Sequence, residues 1–134
     1  MAGYSGTPLP RKLGIRETTG VVVINPPAGY EALLGTLPDG ARIVPEPRRE
    51  VAFVHLFVRS AAELLSALTR LRKKIAPDGV IWVSWPKRAS KVPTDVTEDV
   101  IREVALPMGL VDIKVCAVDE VWSGLKLMIR KSER

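Results

Sequence analysis

Val80-Ile81-Trp82-Val83-Ser84-Trp85 is an apolar run closed by Pro86, and together with the segments after it this run decides the fold. A run this rich in β-branched and aromatic residues reads as a strand, and proline, which cannot donate to a sheet ladder, ends it. A polar loop, 87–95, leads into a capped helical segment that stops near Gly109. Val111 to Val118 and Lys126 to Arg130 read as two further strands, separated by Asp119-Glu120-Val121-Trp122-Ser123-Gly124. They lie close enough for a hairpin, so the last strand is expected to run antiparallel.

Upstream, Val51 to Val58 is apolar at every position but His55, and Val21-Val22-Val23-Ile24 is a second compact run, ended by Asn25-Pro26-Pro27. Strands apolar on both faces belong to parallel sheets covered by helices on both sides. Ser60-Ala61-Ala62-Glu63 has the form of a capping box. It opens a helix in which Leu64, Leu65, Leu68, Leu71 and Ile75 run at helical spacing, with Pro77-Asp78-Gly79 as the turn into the next strand. Arg70, Arg72, Lys73 and Lys74 crowd its last turns. Cations there suit the negative end of the helix dipole, so no nucleic-acid role is expected of them.

Asp95-Val96-Thr97-Glu98 is a second capping box, with Val100, Ile101, Val104 and Leu106 as the apolar side of its helix and Pro107 and Gly109 as its end. Tyr30 to Leu37 reads as a short helix, and Ala41 to Val44 as a short strand after the turn Pro38-Asp39-Gly40. Thr7 as N-cap, Pro8 at the first helical position and Gly14 as a stop give another helix, Pro8 to Leu13, preceded by a loose arm over residues 1–6. Strands alternating with helices imply right-handed crossovers. The expected architecture is α/β: a three-layer, Rossmann-like single domain, 1–134, of about six mostly parallel strands with an antiparallel C-terminal hairpin.

At 134 residues the chain can bury a sizeable core, and 46% apolar with 26% charged residues is ordinary for a globular protein. The net charge of +5 permits an acidic or phosphate-bearing partner, and serves solubility equally well. Cys116 is the only cysteine, which rules out an intrachain disulfide and suits a reducing compartment. Met1 to Gly6 lacks the pattern of a secretory signal, and the apolar runs are strand-length. A cytoplasmic protein with no membrane partner is expected.

In open α/β sheets ligands bind beyond the carboxyl ends of the strands. Asn25 to Tyr30, Arg59-Ser60, Ser84 to Asp95 and Asp119 to Gly124 converge on that edge. A nucleotide-type cofactor normally needs a glycine-rich turn after the first strand, for close backbone approach. Asn25-Pro26-Pro27-Ala28-Gly29 offers one glycine and two prolines. No cofactor is therefore expected, with S-adenosylmethionine the one kept in view. Glu46 is the single candidate for an acidic anchor after the next strand, and prolines bracket it.

The loop Trp85-Pro86-Lys87-Arg88-Ala89-Ser90-Lys91 places three cations beside two tryptophans and near a helix N-terminus, an arrangement that can hold an anion. Trp82 and Trp85 are either stacking platforms or core residues. Asn25, Gly29, Tyr30, Trp85, Lys87, Arg88 and Lys91 are the candidate ligand-binding set. His55, mid-strand and the only histidine, reads as packed and hydrogen-bonded rather than as a base or a metal ligand. Cys116 reads as a small core residue. Asp119 and Glu120 could serve as acid and base or hold magnesium, though adjacent turn carboxylates are usually solvated. No catalytic residue is assigned.

Tyr4-Ser5-Gly6-Thr7-Pro8-Leu9, Lys12-Leu13-Gly14-Ile15, Trp82-Val83-Ser84-Trp85-Pro86-Lys87, Pro93-Thr94-Asp95-Val96-Thr97-Glu98-Asp99 and Asp119-Glu120-Val121-Trp122-Ser123-Gly124-Leu125-Lys126 occur together. In this combination the chain resembles a family of small bacterial proteins, domain of unknown function thirty fifty-two, over nearly its whole length. The resemblance implies a Rossmann-like cytoplasmic domain and brings no activity with it. More loosely, the order of strand, helix and terminal strand pair is similar to the way a class I methyltransferase sheet finishes.

Two functional expectations compete. The leading one is a non-catalytic binding or regulatory module whose Lys87, Arg88 and Lys91 face an anionic small molecule or an acidic protein surface. Arg11 and Lys12 would join them if the N-terminal helix folds over that edge. The rival is a divergent S-adenosylmethionine-dependent methyltransferase, with Trp85 and the Asn25 to Tyr30 loop lining the adenosyl pocket and Glu46 on the ribose. A homodimer joined through a sheet edge or an apolar face is the third possibility.

Overall fold

The computed structural model describes residues 6–134, so nearly all of the arm expected at 1–6 lies outside the described residues. Six strands form a single sheet: β1 (Gly20–Ile24), β2 (Arg42–Ile43), β3 (Val51–Phe57), β4 (Ile75–Pro86), β5 (Leu110–Ala117) and β6 (Trp122–Ile129). Their order is β2-β1-β3-β4-β6-β5. The first four are parallel, and β6 runs antiparallel between β4 and β5. The expected α/β architecture with its antiparallel C-terminal hairpin is what the chain adopts.

Alternation along the strands sorts the core into two layers. Val22, Val54, Leu56, Ile81, Val83, Leu125 and Leu127 pack against α3 (Ala61–Arg72) and α4 (Glu98–Ala105). Val21, Phe53, Phe57, Trp82 and Trp122 point the other way, against α1 (Leu9–Leu13) and α2 (Tyr30–Leu34). Trp82, fully buried, donates its indole N–H to the Leu13 carbonyl at 2.8 Å and so pins the end of α1 to the sheet.

Several boundaries differ from the expected ones. α1 has Pro8, not Thr7, at its N-cap, with no side-chain capping bond. α2 stops at Leu34 instead of Leu37, because Gly35 at φ 74° leaves the helical path. β2 keeps only two of its four expected residues. α3 ends at Arg72, and Ile75 instead pairs with Val51 as the first residue of β4. Leu65 faces outward at 52% exposure, despite its helical spacing.

Pro77-Asp78-Gly79 is a bulge inside β4 rather than a turn before it, since the register jumps from Val51↔Ile75 to Phe53↔Val80. Only glycine fits at 79: a Cβ there would lie 2.7 Å from the Val51 carbonyl oxygen. Asp95 does not cap α4. Thr97 does, its Oγ1 accepting the Val100 N–H at 3.1 Å. Asp95 reaches across to α3 and accepts the Ala61 N–H at 2.7 Å. The α3 capping box is modified in the same region: Ser60 accepts the Glu63 N–H, while the Glu63 carboxylate accepts from Arg59 N–H. β6 begins at Trp122, not Lys126, because Trp122, Ser123 and Gly124 pair with Pro86, Trp85 and Ser84.

Candidate functional site

β1, β3 and β4 all end on one edge, where β6 begins and β5 finishes. The loop after β4 is rigidly fastened there. Lys87 N–H donates to Val121 O at 2.8 Å, and the Ser90 hydroxyl donates to Lys87 O at 2.7 Å. Thr94 Oγ1 donates to Arg59 O at 2.6 Å and accepts from Val96 N–H. Lys91 adopts φ 61°, a left-handed conformation uncommon for a side chain of its size.

This fastened loop, Ser123 and the start of α4 enclose an open cleft of about 450 Å³, lined by Lys87, Arg88 and Lys91 among others. Among the described residues none of these three cations makes an ion pair. Glu98, which also lines the cleft, is taken up by Arg102 at 2.6 Å. The first turn of α4 carries Glu98 and Asp99, so its positive pole is already answered. An anion in the cleft would rest on the three cations, not on the helix end.

The candidate residues divide between two places. Trp85, Lys87, Arg88 and Lys91 line the cleft just described. Gly29 and Tyr30 line a second one, of about 500 Å³, between the end of β1 and α2. Asn25 lines neither cleft and sits at φ 55°, where the chain leaves β1. Trp85 is 7% exposed and packs in the α3/α4 layer, so it offers a ligand an edge at most. Pro26 and Pro27 remove two N–H donors from the β1 loop, and Glu31 is the only carboxylate lining that cleft.

Glu46 is directed away from the carboxyl edge. β2 pairs only with the first two residues of β1, and Glu46 then meets Arg70 of α3 at 3.0 Å and Lys74, two residues past the end of α3, at 2.7 Å. The Arg70 hydrogen bond leads in holding its carboxyl below the usual range. Asp119 has a structural use as well: Oδ1 accepts the N–H groups of Val121 and Trp122, both at 2.8 Å, and closes the β5–β6 turn. Lys12 does reach this edge, donating to Ala117 O at 2.8 Å. It arrives on the α1/α2 side, opposite the α4 cleft. Arg11 lines a separate hollow, with Arg16, between α1 and the segment that follows α2.

Two features of the edge go beyond the sequence reading. His55 and Ser84, both 0% exposed, join Tyr30 in a buried hydrogen-bonded row. Tyr30 Oη lies 2.8 Å from His55 Nδ1, and His55 Nε2 lies 2.7 Å from Ser84 Oγ. Phe57 stacks on the imidazole at 4.3 Å and meets Tyr30 edge-on. Burial pushes His55 down to about 3 and the Tyr30 phenol upward, so both are neutral at physiological pH. His55 and Ser84 are sealed from solvent, Tyr30 reaches the cleft at the end of β1, and the row ties β3 and β4 to α2. Its signal lies in the sequence: His55 and Ser84 are the lone polar residues of two apolar runs whose strands are neighbours. The second feature is Arg59, whose guanidinium lies 5.0 Å over the Trp122 ring beside Phe57.

Among the described residues no helix is long and apolar enough to cross a membrane, and no three potential metal ligands come together.

Comparison with known proteins agrees with this architecture. The model of a family described as proteins of unknown function, DUF3052, matches residues 40–131. No curated protein matches the chain. Among solved structures, a SAM-dependent methyltransferase from Aquifex aeolicus superposes with a TM-score of 0.60 at 14% identity, covering 89% of this chain and 86% of that one. The DhpI–SAH complex gives 0.59 at 13% identity, over 92% and 82%. TrmN from Thermus thermophilus gives 0.56 at 14% identity, over 90% of this chain and 47% of its own. At these identities the likeness establishes a methyltransferase-like, Rossmann-like fold and says nothing of chemistry.

Proposed function

We propose, from the premise that the chain belongs to the DUF3052 family, that it is a non-catalytic binding or regulatory module. It acts as a single cytoplasmic domain and takes an anionic small molecule or an acidic protein surface at the cleft beside β4. One observation carries this reading: Lys87, Arg88 and Lys91 line a rigidly fastened cleft without ion-pair partners among the described residues. Placing three cations on a fastened loop lowers the cost of ordering them around an anion. The test is a thermal-shift screen against nucleotides and phosphorylated metabolites, on the wild type and on the Lys87→Glu/Arg88→Glu variant. A ligand at a hundred times its Kd adds about 2.7 kcal/mol, a shift of several degrees for a domain of this size. Loss of the shift in the variant supports the reading; a shift of the same size in both sinks it.

A second reading is favoured by the cleft at the end of β1, the place where a Rossmann-like sheet holds a nucleotide-type cofactor. It makes the chain a divergent S-adenosylmethionine-dependent methyltransferase. The residues present fit that cofactor poorly: Pro26 and Pro27 supply no N–H groups, and Glu46 is bound to Arg70 and Lys74. Titration calorimetry with S-adenosylmethionine and its demethylated product at millimolar concentration decides the matter. Heat that saturates would restore the enzyme reading, and its absence would remove it. Light scattering tests separately whether two copies associate.

A further inference from the structure

The β5–β6 hairpin treats charge differently on its two faces. Toward α4, Asp112 meets Arg102 at 3.0 Å and the charges cancel. On the α1 side, Lys114 of β5 is paired in register with Lys126 of β6. Directly opposed residues of an antiparallel pair have Cβ atoms about 5 Å apart, and like charges there are destabilising. Lys126 is half-buried, and no carboxylate forms an ion pair with Lys114, Lys126 or Arg16 among the described residues.

More positive charge surrounds this pair. Lys12, at the end of α1, is held over the hairpin by its bond to Ala117 O. Arg16, two residues past the α1 C-cap, is close enough to disfavour the charged form of Lys126, after burial and Lys114 have done so. Gly124 leaves room for Trp82 against β6, since a Cβ there would stand 3.2 Å from the indole. Three separate segments therefore bring cations to one side of the hairpin.

We propose that Lys114, Lys126 and Arg16, with Lys12 beside them, form a binding site for a dianionic phosphoryl group, distinct from the β4 cleft. A dianion would neutralise the opposed lysines through short charge-assisted hydrogen bonds, which explains why the fold tolerates their juxtaposition. Cys116 lies on the same face, two residues from Lys114, and is half-buried. As the only cysteine it reports on this patch alone.

The test measures the alkylation rate of Cys116 by neutral iodoacetamide, with inorganic phosphate or pyrophosphate titrated in. Sodium chloride at matched ionic strength is the control. Saturable slowing by phosphate or pyrophosphate is expected in the wild type. Lys114→Gln and Lys126→Met should each weaken it about tenfold, the loss of one charge-assisted bond. Lys87→Glu/Arg88→Glu should leave it unchanged, so failure here is separable from failure of the β4 cleft. Slowing only by pyrophosphate would identify a diphosphoryl ligand; slowing by phosphate as well, a single phosphoryl group. The proposal is overturned if neither anion slows the reaction, if chloride slows it equally, or if both variants keep full protection. Exposed Lys114 makes Lys114→Gln a variant that should fold normally, so the Lys126→Met result does not stand alone.

Discussion

The two faces of the sheet solve the same burial problem by different means. On one, α3 is twelve residues long, capped by Ser60, and its cations are spent on Glu46, Glu133 and the Met108 carbonyl. α4 is capped by Thr97, and its Arg102 joins Glu98, Asp99 and Asp112. On the other, α1 and α2 have five residues each and no side-chain caps. That layer instead depends on aromatic packing, the Trp82–Leu13 bond and the buried Tyr30–His55–Ser84 row. The comparison separates a face held by capped helices and ion pairs from one held by aromatic packing and a buried polar row.

The largest effects should come from the cores. Leu68→Ala, at a fully buried α3 position, should cost about 3 kcal/mol by urea unfolding, through lost burial and the cavity left behind. It should speed hydrogen exchange across the whole sheet. Leu13→Ala removes the same group from a helix of five residues. Its faster exchange should stay within α1 and α2, as expected of a layer that opens locally. Equal global loss of protection in both variants would erase the distinction between the faces.

Acid should attack the α1/α2 face selectively. His55 stays neutral in the folded chain down to about 3, whereas the unfolded chain binds that proton below about 6.5. More protons on the unfolded state mean that stability falls as pH drops from about 6.5 to about 3, with a limiting slope near 1.4 kcal/mol per pH unit. Denaturation of the wild type and His55→Gln at pH 7 and pH 4.5 should show a shallower acid loss in the variant. Parallel curves would mean that the buried imidazole is not the proton-linked group.

Within the row, Tyr30→Phe keeps the ring packing and strands one imidazole nitrogen, which should cost about 1–2 kcal/mol. Combined with Ser84→Ala, the losses should be non-additive, because both hydroxyls serve one imidazole. Full additivity would mean that the row is two independent contacts.

Periodicity and punctuation make most of the sheet legible in the sequence. Val21–Ile24, Val51–Val58 and Val80–Trp85 are apolar on both faces, and that pattern has few solutions. Proline and glycine signals place the breaks. The features that stay hidden are set by tertiary partners. Pro77-Asp78-Gly79 has the composition of a turn, yet β3 pairs on both sides of it and makes it a bulge. Asp95 occupies a plausible capping position, but its carboxylate serves a helix 34 residues earlier. Trp122 looks like part of a loop until β4 is present to receive it. At the candidate site, the cationic loop after β4 is legible from composition. The opposed lysines are not, since register decides who faces whom and the bulge between Asp112 and Lys114 shifts it.

The smallest effect tests the α3 face, where ion pairing is richest. Glu46 is half-buried, but it and the two cations that hold it all keep contact with solvent, so Glu46→Gln should cost only about 1 kcal/mol. The cost should shrink further at high salt, because exposed charges are screened beyond about 3 Å at 1 M. The same substitution bears on chemistry. A Glu46 that anchored a ribose would lose affinity for S-adenosylmethionine when made Gln, at unchanged ionic strength and with the fold intact. A Glu46 that only ties the β2–β3 connection to α3 would change stability slightly and leave any ligand affinity as it was. The second outcome would assign the α3 face to stability alone and leave ligand binding to the carboxyl edge and the lysine-bearing face of the hairpin.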